Sequence, residues 1–306
     1  MPVVVGLDHG NGWVKVKTEE KEITLPSYFA NKADLGDDFI KSKYKLNEYT
    51  SNDDKGNTYL WGEDISKLKS NILIPTFGMQ DRYKQDRYNL LTQFALASVL
   101  EGSEEDVLVV TGVPSSEKGT IKEEDLIDVI KGTHVVSING EEKIIKVKQV
   151  TVLAQPIGSV LSLYLDEEGN VEDDSYEDSL IGVIDIGSGT TDIDQVEDLR
   201  REGATPSLPE GISDVYTDIV EYVRKENPNL TVSIQDIESN FETGIYRESK
   251  RTASIDFTKE KEKAVKKLAD KIIQHLAQTW KTWDKFDEII ITGGGAAPLK
   301  KALSDL

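Results

Sequence analysis

Cysteine is absent from this 306-residue sequence, which excludes disulfides and thiolate zinc sites. Histidine is scarce; His9, His134 and His275 are scattered along the chain, and none is assigned to a metal. Positive charge is in deficit, with 36 Lys and Arg against 56 Asp and Glu and a net charge of −20. An acidic excess of that size disfavours direct contact with DNA, RNA or an anionic membrane, and favours solubility or a basic partner. Long apolar runs are missing too, and none approaches the roughly 18 residues that a membrane helix needs. The opening Met1-Pro2-Val3-Val4-Val5 lacks the basic region and apolar core of a signal peptide. A reducing cytoplasm is the expected setting. Hydrophobic residues are 38% and charged residues 30%, as in a soluble globular protein, and the length suits two domains.

Against these absences stand two similar stretches. Leu180-Ile-Gly-Val-Ile-Asp-Ile-Gly-Ser-Gly-Thr-Thr-Asp192 is a short apolar run that ends at an Asp and a Gly/Thr turn. Glycine lets a ligand approach the backbone, so the N–H groups of such a turn can face a phosphate. The Asp can hold a hydrated Mg²⁺. Near the N-terminus, Val3 to Leu7 reads as a buried strand and Trp13 to Thr18 alternates like a second one. Between them, Asp8-His-Gly-Asn-Gly12 is a turn rich in residues that accept positive φ. The chain therefore carries two β-hairpins with acidic, Gly-rich tips, one near residue 8 and one near residue 185.

The remaining pattern is mixed α/β. Strands are expected at Ile23–Ser27, Tyr59–Trp61, Val107–Val113 and Phe286–Ile291, with a hairpin from His134 to Val152 around Asn139-Gly140. Helical periods mark 86–101, 121–131, Gln155–Leu165, Ile212–Val223, a long amphipathic stretch at 259–283, and a last helix from Leu299. Residues 31–58 read as a polar, irregular insertion, and 200–210 as a loop. Asp166 to Asp178, which holds no Lys or Arg, reads as a solvated loop, with a docking site for a basic partner as the lesser alternative.

The motifs carry a family resemblance. Gly6-Leu-Asp8-His-Gly10-Asn-Gly12-Trp-Val-Lys15 resembles the first phosphate motif of the actin-like ATPase superfamily, and Ile184-Asp185-Ile-Gly187-Ser-Gly189-Thr190-Thr191-Asp192 the second. Ile291-Thr-Gly293-Gly294-Gly295-Ala296 resembles its adenosine motif, and Ala154-Gln155-Pro156 its first interdomain connection. All four stand in the family's order and spacing. Within the superfamily the chain resembles ParM-type bacterial plasmid-segregation actins, through the Asp8-x-Gly10 opening with Lys15, Tyr59-Leu-Trp-Gly62-Glu63, Thr111-Gly-Val-Pro114 and the Asp185/Asp192 spacing.

This resemblance implies an actin-like α/β fold of two duplicated ribonuclease-H-like domains flanking a nucleotide cleft. Domain I would span 1–155 with an insertion subdomain around 28–62, and domain II 156–292 with a small subdomain around 226–258. Residues 293–306 would hold the adenosine motif and the start of a C-terminal helix. The family continues past that motif while this sequence stops at Leu306, which leaves open a truncated C-terminus or a segment the family has dispensed with. Implied ligands are ATP or ADP, with GTP as an alternative, and Mg²⁺ held through water by Asp8 and Asp185. Gly10, Asn11, Gly12, Lys15, Gly187, Ser188, Gly189, Thr190 and Thr191 would bind phosphates, and Gly293, Gly294 and Gly295 the α-phosphate and adenosine. Gln155 and Asp185 are the implied catalytic residues, with Gln155 orienting the attacking water. Many ParM-like proteins carry Glu at that position, whereas eukaryotic actin carries Gln.

The implied function is a slow, polymerisation-coupled ATPase. It would form a polar filament with itself and reach plasmid DNA through a ParR-like DNA-binding adaptor, without touching nucleic acid or membrane directly. The alternatives are a non-segregating scaffold or regulator ATPase, or a small-molecule kinase of the same superfamily. The kinase is disfavoured because no separate base stands out beyond Asp185 and Asp192.

Overall fold

The computed structural model of the protein describes residues 1–35, 44–77, 81–203, 207–249 and 253–304. The chain divides into two compact units, one made of residues 1–113 and 117–153, the other of 114–116 and 154–306.

The first unit is built on strands β1 (Val3–His9), β2 (Trp13–Lys17), β3 (Glu22–Pro26), β4 (Tyr28–Asn31), β5 (Asn47–Ser51), β6 (Tyr59–Trp61), β7 (Leu73–Pro75), β8 (Glu104–Val113), β9 (Gly132–Ile138) and β10 (Glu141–Ala154). They form one ten-stranded sheet in the order β3-β2-β1-β8-β10-β9-β5-β6-β4-β7. β1 runs antiparallel to β2 and parallel to β8. The alternation read from the sequence sets the faces: Val5, Leu7, Val14 and Val16 point into the core, and Lys15 and Lys17 point out. Helix α1 (Asp86–Val99) covers the inner face with Leu91, Phe94, Ala95 and Leu96 fully buried. Helix α2 (Ile121–Ile130) is capped by Thr120, whose hydroxyl accepts from the Lys122 N–H at 3.2 Å. The β9–β10 turn places Asn139 at φ 53° and Gly140 at φ 90°, as a tight Asn-Gly hairpin requires.

One segment departs from the expectation of an irregular insertion. Asn47–Ser51 is a strand inside the sheet, paired with both β6 and β9, and Tyr49 is wholly buried. Its sequence, Asn-Glu-Tyr-Thr-Ser, is polar because only Tyr49 and Ser51 face inward. Part of that insertion, residues 36–43, lies outside the described residues.

The second unit carries α3 (Gln155–Tyr164), β11 (Leu180–Ile186), β12 (Thr191–Glu197), β13 (Arg200–Glu202), α4 (Ile212–Glu226), α5 (Ile234–Asn240), β14 (Ile245–Tyr246), β15 (Ile255–Asp256), α6 (Thr258–Thr279), β16 (Glu288–Thr292) and α7 (Ala296–Leu303). Its main sheet has four strands in the order β13-β12-β11-β16. β11 is antiparallel to β12 and parallel to β16, so the hairpin-plus-crossover arrangement of β3-β2-β1-β8 is repeated. β13 lies in the stretch expected to be loop, and β14 pairs with β15 in a separate small ribbon. The stripe of α6 is core, with Ala264, Leu268, Ile272 and Leu276 buried; the helix ends at Thr279, and Trp280 follows it into the core. Gly182 in β11 leaves the room that the Trp280 indole fills, since a Cβ there would stand 2.8 Å from Cη2. The acidic run is mostly exposed but is anchored by Tyr176, which is buried and donates its hydroxyl to Glu288 at 2.7 Å.

Candidate functional site

In the first unit, the β1–β2 hairpin brings Asp8, Gly10, Asn11, Gly12 and Lys15 together. Asp8 and Lys15 are cross-strand partners, with Nζ 3.4 Å from Oδ2 and side chains 47% and 56% exposed. A pair that exposed contributes little to stability, so both charges remain available to a ligand. Gly10 closes the turn by donating its N–H to the Trp13 carbonyl at 3.0 Å, and a Cβ on Gly10 would come within 3.1 Å of that oxygen. Ser27, between β3 and β4, braces the turn: its hydroxyl donates to the Gly10 carbonyl at 2.6 Å and its N–H to the Gly12 carbonyl at 2.9 Å.

His9 is locked behind the tip. Its ring stacks on Tyr88 at 3.9 Å between centroids and 6° between planes. Thr76 donates its hydroxyl hydrogen to the Ser27 carbonyl at 2.9 Å, so that oxygen accepts from His9 Nε2–H at 3.1 Å. Nδ1 then accepts from Thr92 Oγ1–H at 2.8 Å. Burial, followed by the nearby Arg82 charge, holds the His9 pKa well below the ordinary histidine value, so the ring is a neutral brace.

In the second unit, the β11–β12 hairpin presents Gly187, Ser188, Gly189 and Thr190 at its tip. The Gly187 N–H donates to the Thr190 carbonyl at 2.8 Å, the counterpart of the Gly10 bond. Here the brace is a helix: the α4 N–H groups of Ile212 and Ser213 donate to the Gly187 and Ser188 carbonyls at 3.0 and 2.9 Å. Gly211 allows that approach, because a Cβ on it would lie 2.6 Å from both carbonyl oxygens. The hydroxyls of Ser188 and Ser213 meet at 2.6 Å. Thr190 Oγ1 donates to Asp192 at 3.4 Å. Thr191 is fully buried; its hydroxyl donates to the Glu210 carbonyl at 2.9 Å and its N–H to Leu208 at 2.9 Å.

Gly293, Gly294 and Gly295 join this hairpin. Thr292 is the register partner of Asp185. Gly293, at φ 89°, packs so closely that a Cβ would overlap Asp185 Oδ1 and the Ile186 carbonyl. Gly295 donates its N–H to that carbonyl at 2.9 Å. Gln155 is the half-buried first residue of α3, ahead of Pro156, and α3 packs on β11 and β12.

The donor set suits phosphate. Among the described residues, the N–H groups of Asn11 and Gly12 in the first tip, and of Ser188, Gly189 and Thr190 in the second, donate to no protein acceptor. Short turns with unengaged N–H groups are anion sites when a ligand is present. Asp185 and Asp192 are direct cross-strand partners, so the base of the second hairpin carries two carboxylates side by side. No group of three or more His, Asp or Glu forms a metal cage among the described residues. A hydrated Mg²⁺ fits what is present, since it takes one or two carboxylates and fills its octahedron from water and phosphate. Ser27, Thr76, Arg82, Thr92, Gly211 and Ser213 escaped the sequence reading. Only Gly211, just before a helical period, left a local signal; the others act from 12 or more residues away in sequence, or through contacts no pattern encodes.

Two α/β units that repeat one strand order, each with an Asp-ending hairpin and a glycine tip, define the actin-like fold. A family model described as the N-terminal domain of actin-like proteins matches residues 6–158, and one for the C-terminal part of an archaeal MreB-like actin homologue matches 183–305. The chain belongs to the actin-like protein family and resembles ParM-type actins. It is 26% identical to the apo ParM protein of pSK41, covering 99% of this chain and 89% of that one at a TM-score of 0.73. The archaeal actin homologue Ta0583, solved in complex with ADP, is 19% identical at a TM-score of 0.76, with 99% and 90% covered. A ParM subunit from a 15-stranded filament of Clostridium botulinum is 18% identical at a TM-score of 0.78, with 99% and 91% covered. No curated protein sequence matches significantly. No helix among the described residues is long and apolar enough to cross a membrane.

Proposed function

We propose that this protein is a nucleotide-driven actin homologue that binds Mg²⁺ with ATP or GTP, assembles into filaments and hydrolyses the nucleotide slowly. The observation that carries this reading is the pair of hairpin tips with unengaged N–H donors, each beginning at an Asp. Asp8 and Asp185 would hold the metal's water shell, Lys15 would meet a β- or γ-phosphate, and the two tips would donate to the phosphates. Bound Mg²⁺ would neutralise phosphate charge as the terminal phosphoryl group leaves. Gly293 lets the backbone of the adenosine motif lie against Asp185, and Gln155 orients the attacking water. An amide is a poor base, so hydrolysis rests on positioning and electrostatics. The ADP complex of Ta0583 and the ParM filament of Clostridium botulinum support nucleotide binding and self-assembly as the properties to test.

Plasmid segregation is the biological role we assign, through a small ParR-like DNA-binding adaptor and within the cytoplasm. The net charge of −20 supports an adaptor, because the chain itself repels DNA. Light scattering and pelleting with Mg²⁺ and ATP or GTP test assembly. Nucleotide-dependent polymer is the expected result, and no polymer at any protein concentration with either nucleotide overturns it.

A further inference from the structure

The first hairpin tip holds one polar side chain whose two ends are treated differently. Asn11 Oδ1 accepts from Arg82 Nη1 at 2.8 Å. A guanidinium only donates, so the carboxamide is turned with its oxygen toward Arg82 and its NH₂ away. Among the described residues that NH₂ donates to nothing, although Asn11 is half-buried.

Arg82 is itself held on several sides. Its Nη2 donates to the Tyr83 hydroxyl at 2.9 Å, and its guanidinium lies 4.7 Å from the Tyr83 ring centre and 5.8 Å from that of Tyr88. The Tyr83 hydroxyl in turn donates to Glu117 at 2.6 Å, and Lys122 pairs with the other oxygen of Glu117 at 2.9 Å. Asp81, one residue before, sits at φ 51°, a left-handed conformation that a non-glycine residue adopts at a cost. A single orientation of one amide is thus enforced by a relay of four side chains and a strained backbone.

We infer that Arg82 is a positioning residue of the nucleotide site: it turns the Asn11 carboxamide so that the NH₂ joins the N–H groups of Asn11 and Gly12 as a phosphate donor, and it sets a fixed positive charge behind the tip. The role rests on the nucleotide reading proposed above. It acts through Asn11, which separates it from a plain structural arginine. Lysine cannot replace it, because an ammonium lacks the fork that meets Asn11 and Tyr83 together.

The test is calorimetric titration of Mg²⁺–ATP into the whole chain, as wild type, Asn11→Ala, Arg82→Lys and the double variant. Each single change is expected to weaken ATP about tenfold, and the double change no more than about twofold beyond either. Asn11→Asp keeps an oxygen facing Arg82 but loses the NH₂. Its thermal midpoint without nucleotide should match wild type while its ATP affinity falls about tenfold or more. Wild-type affinity in Arg82→Lys or in Asn11→Asp, or losses that multiply in the double variant, overturns the role of Arg82. Wild-type protein that binds no ATP overturns the nucleotide reading itself, and this role with it.

Discussion

The two hairpins share a topology but are held by different means. The first tip is fixed by side chains: Ser27 on the Gly10 carbonyl, Arg82 on Asn11, and the His9 ring between Thr76, Thr92 and Tyr88. The second is fixed by backbone, with α4 donating to two tip carbonyls and Gly211, Gly293 and Gly295 pressed where no Cβ fits. Across the base of the first lies an ion pair, Asp8 with Lys15; across the base of the second lie two carboxylates, Asp185 and Asp192. One fold therefore reaches the same rigid acidic tip by two routes. The side-chain route adjusts by substitution, whereas the backbone route is sensitive to a single methyl group.

The sharpest break would come at Asp185. Asp185→Ala removes the carboxylate that the second hairpin is proposed to aim at the metal, and steady-state phosphate release should fall about 10³-fold or more. Wild-type turnover in that variant would remove the second hairpin from the chemistry. Next in size is the backbone route itself. Gly293→Ala should cost about 3 kcal/mol or more in urea unfolding, through positive φ and overlap with Asp185. Gly294→Ala, where a Cβ meets nothing within 4 Å, should stay within about 0.5 kcal/mol. Equal effects at the two neighbours would dissolve the contrast.

The smallest expected effect tests the side-chain route. The pKa of His9 is depressed in the folded protein, so as pH falls the unfolded chain takes up that proton first. Its contribution is fully present above about pH 6.5 and is lost as pH falls toward the folded value, at no more than about 1.4 kcal/mol per pH unit. Urea midpoints from pH 7.5 to 5 should show this slope, reduced in His9→Gln. An unchanged slope would mean that the ring is not a neutral brace.

Much of the site was legible because its signals are local. Asp8-His-Gly-Asn-Gly12 between alternating strands, and Asp185 before Gly187 and Gly189, each state a hairpin in under 15 residues. Distance in the chain hid the rest. β5 looked like loop because its partner strands are β6 and β9, the latter more than 80 residues on, and Tyr49 stacks on Phe94 of α1. The glycines also looked alike, yet Gly189 and Gly294 have open space where Gly211 and Gly293 have none. Thr76 and Thr92 carry no pattern at all; only the fold brings them to the two nitrogens of one imidazole.

By itself the sequence determined the period of the main strands and helices and the two acidic glycine turns, which depend on neighbours within a turn or two of chain, and its composition set the charge of −20. Tertiary structure decided which of those residues are interchangeable. It gave the first tip a guanidinium, an imidazole and a serine, and the second a helix end and a glycine against Asp185. Such contacts depend on where distant backbone passes, and steric room and hydrogen-bond partners exist only once the chain has folded.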